Sequence, residues 1–382
     1  MAEDTPPPEP DRVPGYPHPR ENPHLFGQDK AQRAFLDAWS GGRLHHAWLL
    51  RGPQGIGKAT LGYRIARALI AQEIPATGGL FGEAQPVIPD TLDAPVDCPV
   101  RTRIAAQAEP RLSVLRRTPH PNTGRMRGEI TVEDVRSMRR FLQLSAADGG
   151  WRVIIVDDAD QMNRNAANAL LKYLEEPPPS CLFLLVSHAP AGLLPTIRSR
   201  CRTLDLAPLG PDDLAFALGA VDAVPEPGTE TSLAQLSAGS VGQALRLMAG
   251  DGLGLYAELV ALMGGGRGVD RAMMTGMAES CAGRDNADRY AAVLGLVKIL
   301  LARLARAAAT GQVPPAAANA EPELISAIAS HPAQAAPWAE TLARITATTR
   351  HAVAVNLDPA STILDTLLLI DSTLARVRSI AA

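Results

Sequence analysis

The chain has 382 residues, 46% hydrophobic and 20% charged, enough to build two or three packed domains and unlike disordered, collagen-like or disulfide-stapled chains. Its 37 Lys and Arg face 40 Asp and Glu, so no overall positive field draws it to nucleic acid, and any DNA contact has to be local. Cys98, Cys181, Cys201 and Cys281 form no close pair, which points to a reduced, cytoplasmic setting.

Residues 1–23 carry eight prolines and an acidic start. They lack the layout of a secretory signal, and the proline content predicts a disordered tail. From residue 24 to 206, nearly continuous apolar runs alternate with helical patterns, as in parallel βαβ units covered on both faces. The clearest strands are HAWLL (46–50), WRVIIV (151–156) and CLFLLVS (181–187). Residues 74–127, rich in Pro, Gly and Thr, read as an insertion or long loop. Thr131 and Asp134 have capping-box spacing at the head of TVEDVRSMRRFL. The apolar stripe of that helix leaves Arg136, Arg139 and Arg140 on another face, a solvated surface or a phosphate track.

After Pro208 the strands stop. PDDLAFALGA, TSLAQLSAG and SVGQALRLMAG are short helical patterns, and longer Ala- and Leu-rich helices run to the end. The most apolar of these, AVLGLVKILLARLA, is interrupted by Lys298 and Arg303. It falls short of the ~20 apolar residues needed to span a bilayer.

Gly52-Pro53-Gln54-Gly55-Ile56-Gly57-Lys58-Ala59-Thr60 lies between a strand and a helical run. Its glycines let backbone N–H groups converge on phosphate oxygens at a helix N-terminus, and Lys58 adds a point charge. The position after the lysine, where a hydroxyl would reach magnesium, is Ala59; Thr60 is displaced by roughly 100° around the helix. After the strand VIIV come Asp157 and Asp158. They are placed for a metal and for an attacking water, or to cap the next helix. Asp158 is one methylene shorter than the glutamate this chemistry uses. His45, His46 and His188 have no nucleophile or carboxylate beside them in sequence and receive no role.

LHHAWLLRGPQGIGKATL, GWRVIIVDDADQMNRNAANALLKYLEEPPPSCLFLLVSHAP and LLPTIRSRC resemble the clamp-loader branch of the AAA+ ATPases, over about residues 45–65 and 150–206. The resemblance implies an α/β P-loop AAA+ domain with a parallel sheet over 24–206. A helical lid over 207–253 and an all-α collar, the oligomerisation domain, over 254–382 would follow. In that family Ser-Arg-Cys, here Ser199-Arg200-Cys201, supplies an arginine finger to ATP on the neighbouring subunit, and Ser187 falls at a γ-phosphate sensor. Motor subunits carry a lid arginine where this chain has Gly242. Subunits of that branch, motor and non-motor alike, usually carry a four-cysteine zinc module where this chain has only Cys98 and, nearby, His120, so no structural zinc is expected.

By that resemblance the chain is a subunit of the replicative clamp loader with weak or no ATP turnover of its own. Arg200 would act in trans. Gly52, Gly55, Gly57, Lys58, Thr60, Asp157, Asp158 and Ser187 are the nucleotide-binding candidates, for ATP with magnesium. Implied partners are the motor subunits gamma or tau, delta, the sliding clamp and primed DNA, with no membrane. The alternative is a self-sufficient ATPase of the motor type, favoured by Lys58 and Asp157 and opposed by Ala59, Asp158 and Gly242.

Overall fold

The computed structural model describes residues 9–42, 44–72, 90–95, 97–120, 124, 126–143, 150–283 and 285–381. The chain divides into two compact units, Met1–Ala223 with Gly239–Gly242, and Val224–Ala238 with Gln243–Ala382.

The first unit is built on a five-stranded parallel sheet. Its strands are β1 (Ala47–Arg51), β2 (Leu112–Leu115), β3 (Arg152–Val156), β4 (Cys181–Ser187) and β5 (Arg202–Asp205), in the order β2-β3-β4-β1-β5. Every residue of β3 and β4 is buried, as is β1 up to Leu50. That is why these three strands read as unbroken apolar runs. Around the sheet lie α1 (Asp29–Ser40), α2 (Lys58–Ala71), α3 (Pro99–Ala105), α4 (Val132–Gln143), α5 (Arg164–Glu175), the single turn α6 (Pro195–Arg198) and α7 (Pro211–Gly219). One core layer joins Leu49, Ile154, Val156, Phe183 and Leu185 of the sheet to Val135 and Met138 of α4 and Leu170 and Leu174 of α5. Thr131 and Asp134 do form the expected cap, with the Thr131 N–H donating to Asp134 Oδ2 at 2.8 Å. Arg136, Arg139 and Arg140 are exposed.

Two edge strands escaped the sequence reading. β2 lies inside the stretch predicted as a loop, together with α3, while residues 74–89, 96, 121–123 and 125 of that stretch lie outside the described residues. β5 was not predicted either. Both strands have only four residues, and one residue in each is buried. Edge strands bury less and so show little apolar periodicity.

The tail also departs from expectation. Residues 1–8 lie outside the described residues, but 9–23 are packed against the first unit. Proline fixes φ without preventing an extended segment from docking, and here charge pairs hold it. Arg20 Nη1 donates to Glu9 Oε1 at 2.6 Å, and Arg116, just after β2, donates to Glu9 and Asp11 at 2.9 Å each. Arg67 of α2 donates to the carbonyls of Arg20 and Asn22, and Arg64 to that of Pro23. His18 is 0% exposed and stands edge-on to Tyr63 of α2.

The second unit is all helical: α8 (Glu230–Ser237), most of α9 (Val241–Ala249), α10 (Gly252–Leu262), α11 (Arg271–Ser280), α12 (Ala287–Thr310), α13 (Glu321–Ile328), α14 (Ala335–Ala354) and α15 (Pro359–Ala381). Its apolar core includes Tyr256, Leu300, Leu304, Ile325, Trp338, Ile363 and Leu374. Inside it Glu321, 0% exposed, accepts from Tyr256 Oη at 2.7 Å, Arg303 Nε at 2.6 Å and the Ala317 N–H at 2.6 Å. Arg303, which the sequence marked only as an interruption, is the counter-charge that makes this carboxylate tolerable. The unit boundary does not fall at residue 207: α7, expected at the start of the lid, packs with the first unit, where Phe216 stacks on Phe26. No single described helix is long and apolar enough to cross a membrane.

Candidate functional site

Parallel pairing brings the motifs to one edge. Arg51, the last residue before the P-loop, is in register with Ser187, and Val156, the last before Asp157, with Leu185. The loop, the aspartates and the serine therefore meet at the carboxyl ends of β1, β3 and β4, where open α/β sheets form their crevices.

The P-loop has the curvature its glycines allow. Gly55 and Gly57 take φ +77° and +98°, values closed to most side chains. Segment 239–242 lies directly on it: the Gly242 N–H donates to Gly55 O at 2.9 Å and Ser240 Oγ to Gln54 O at 2.8 Å. Gly242, where a motor subunit's lid arginine would stand, thus meets the loop through backbone alone. A Cβ on Gly55 would lie 3.0 Å from Gly242 Cα.

Lys58 is 3% exposed, and its Nζ donates to Gly52 O at 2.7 Å and to Pro53 O. Burial lowers its pKa to about 8, against the opposing pull of Asp160, Asp157 and Asp158. Thr60 is buried within α2.

Asp157 points into protein. Burial, reinforced by Asp11, pushes its pKa far above the carboxylate range. Asp11 is the opposite case. Burial works against its charge, but the hydrogen bond with His18 and the charges of His18 and Arg116 outweigh that and lower its pKa to about 2. The two shifts are opposed: burial favours the neutral form of Asp157, while the neighbouring cationic groups favour the charged form of Asp11. Asp158 sits in the left-handed region at φ +57°. Burial, then Asp160, raises its pKa, and its Oδ1 lies 3.9 Å from His188 Nε2.

Ser187 is fully buried and donates to Asp160 Oδ1 at 2.7 Å. Asp160 Oδ2 accepts the N–H groups of His188 and Ala189. The expected phosphate sensor therefore has an internal carboxylate as its partner. Asp160 was visible in the motif only as a third aspartate, and Asp11 was hidden in a segment that looked featureless. The alternation of Glu9, Asp11, Arg12, His18, Arg20 and Glu21 was the signal available.

These residues fit a magnesium–nucleotide poorly. A divalent ion needs an ionised carboxylate, and burial disfavours the ionised form of Asp157. Ala59 offers no oxygen, and the ammonium of Lys58 is spent on loop carbonyls.

Arg200 lies elsewhere, after α6. Its Nη1 donates to Thr196 O at 3.0 Å, and its Nη2 lies 2.8 Å from Glu175 Oε1 at the end of α5. The two side chains are 35% and 50% exposed. Cys201 packs partly against the core, and burial pushes its thiol to about 12, so it is no nucleophile. His45 and His46 stack at 4.4 Å, with His46 Nε2 2.9 Å from Leu174 O.

Residues 27–210 match the family model described as DNA polymerase III, delta subunit. The chain is 41% identical over 167 residues to the DNA polymerase III subunit delta' of Pseudomonas aeruginosa, covering 43% of this chain and 44% of that one. It is 33% identical over 214 residues to the delta' subunit of Escherichia coli, covering 56% and 58%. The tau subunit of Escherichia coli matches at 28% over 233 residues, covering 58% and 32%. Among solved structures, a gamma-subunit-related protein of Thermotoga maritima covers 90% of this chain and 99% of its own at 16% identity, but its TM-score of 0.34 adds nothing to the assignment. The chain spans about half the length of the curated delta' relatives it matches. Residues 27–210, just under half of the chain, are thus similar to the delta' subunits of DNA polymerase III.

Proposed function

We propose that this chain is the stationary subunit of a replicative clamp loader: it turns over little or no ATP itself and donates Arg200 to the ATP held by an adjacent motor subunit. One observation carries the reading. The groups that would serve a nucleotide in this chain are engaged with its own atoms, whereas Arg200 presents a guanidinium at the surface.

Magnitudes favour release of Arg200 to a neighbour. An exposed ion pair such as Arg200–Glu175 contributes ~0–1 kcal/mol. An arginine finger contributes about 10³ to 10⁵ in rate, or about 4–7 kcal/mol at the transition state. The neighbour's developing phosphoryl charge would therefore outcompete Glu175. Two in-plane N–H groups of the guanidinium suit two phosphate oxygens, a match a lysine cannot make.

The partners in this reading are the gamma or tau motor subunits and delta, held through the helical second unit, with the sliding clamp and primed DNA reached through the complex. The setting is cytoplasmic. Nucleotide at the chain's own P-loop, if bound at all, would be held without turnover.

The test is ATP turnover by the reconstituted loader with Arg200→Ala, alongside turnover by the chain alone. Loss of loader turnover with assembly intact supports the reading. Unchanged loader turnover, or clear turnover by the chain alone, moves the motor-type ATPase to first place.

A further inference from the structure

A second cluster of charge lies farther along α2, away from the P-loop. Arg64 and Arg67 follow Lys58 on that helix, roughly 9 and 14 Å along its axis, and are 8% and 5% exposed. Arg64 Nη2 donates to Asp93 Oδ1 at 2.8 Å and its Nη1 to the carbonyl of Pro23, while its buried Nε has no hydrogen-bond partner among the described residues. Arg67 donates to carbonyls, those of Arg20 at 3.1 Å and Asn22 at 2.9 Å. Burial, then the charges of Arg64 and of Arg101 on α3, lowers its pKa to about 10. Arg101 itself is half-buried. Among the described residues Asp93 is the one carboxylate ion-paired with any of the three guanidiniums, and its side chain is 66% exposed.

We propose that Arg64, Arg67 and Arg101 form an anion site that takes a phosphate group. Like charges gathered in the interior are costly without matching anions. Carbonyls accept N–H groups but carry no net charge, so three guanidiniums against one carboxylate leave an excess of about two positive charges. A phosphate monoester carries about −1.5 to −2 at pH 7, and two successive phosphodiesters of a nucleic acid carry about the same. A single carboxylate would leave the excess half met. Guanidinium forks suit two oxygens of one phosphate, and the orphaned Arg64 Nε is a donor that such an oxygen would satisfy. Asp93 and Arg101 give the cluster a side open to solvent. The site is separate from the P-loop and independent of the role given to Arg200.

The experiment uses the full chain carrying Lys58→Met, so that the P-loop lysine does not contribute. Orthophosphate is titrated by calorimetry, and a short labelled oligodeoxynucleotide by fluorescence anisotropy, at constant ionic strength. Saturable binding is expected, weakened at least tenfold by Arg101→Ala and unchanged by Arg136→Ala, which removes an exposed arginine of α4. If orthophosphate alone depends on Arg101, the ligand is a free phosphate; if the oligonucleotide does, it is a nucleic-acid backbone. Should Arg101→Ala fail to fold, Arg101→Gln, which removes the charge and keeps most of the side chain, is judged by the same criteria. The proposal is overturned if neither probe binds, or if binding is undiminished in the folded Arg101 variant. It is equally overturned if Arg136→Ala weakens binding as much, since the effect would then be one of overall charge.

Discussion

The two ends of what resembles an ATP apparatus have been treated in opposite ways. At the P-loop end, Lys58, Asp157 and Ser187 are buried, with Lys58 bonded to Gly52 and Ser187 to Asp160. At the Ser-Arg-Cys end, Arg200 is partly exposed and held by one exposed carboxylate and one carbonyl. A charged group that is to act on another molecule has to remain cheap to free. A charged group that is to stay has to be paired, because an unpaired charge in the interior costs several kcal/mol. Partnering, more than residue identity, separates the two ends.

The largest effect expected from this contrast is at the exposed end. Arg200→Ala should cut ATP turnover of the assembled loader by about 10³-fold or more while leaving the melting temperature of the chain within a degree or two. Arg200→Lys should restore little, since a point charge does not reproduce the guanidinium fork. A melting temperature that fell steeply would instead make Arg200 a structural residue.

At the buried end stability should respond. Asp11→Ala leaves His18 and Arg116 short of an acceptor, and urea unfolding should register a loss of about 1–3 kcal/mol. An unchanged midpoint would mean that the docked segment contributes nothing to the fold.

Lys58 should show itself through pH. Its folded pKa of about 8 lies below the unfolded value, so between pH 8 and about 10.5 the unfolded chain binds more protons and stability rises with pH. Lys58→Met should remove that rise. The variant's advantage, on the order of 1–3 kcal/mol, should be full below pH 8 and fade above it.

Asp157 has the reverse sign. Its folded pKa is raised, so from about pH 4 upward the folded state keeps a proton the unfolded chain has lost, and stability falls as pH rises. Asp11, lowered to about 2, is charged in both states over that range and adds no slope. Asp157→Asn, which cannot ionise, should flatten the fall between pH 4 and 8 in thermal scans. An unchanged fall would mean that Asp157 is ionised in the folded protein. The smallest effect belongs to Glu175→Gln. Losing one exposed pair costs at most about 1 kcal/mol, and loader turnover should stay within about twofold of wild type.

Much of the fold was legible because its central strands are buried on both faces and its motifs are contiguous. β1, β3 and β4, the loop Gly52–Lys58 and the cap at Thr131 could be read directly, since each depends on neighbours within a few residues. β2 and β5 could not, because an edge strand leaves little apolar signature. Nor could Asp11 and His18, whose partners Arg116 and Tyr63 are far away in sequence. The prolines around them were read for what they prevent, a helix, while the alternating charges around them went unused.

By itself the sequence determined the order of α/β and helical parts, and the side chains missing at Ala59 and Gly242. Local chemistry was enough for these, since an absent hydroxyl is absent in any fold. Tertiary structure alone decided which of the remaining charged groups are spent and which are free. Whether Asp157 ionises depends on how deeply the fold buries it, and whether Arg200 can reach a neighbour depends on its having only weak, exposed partners. Ionisation and availability are properties of surroundings, and those surroundings exist only once the chain has folded.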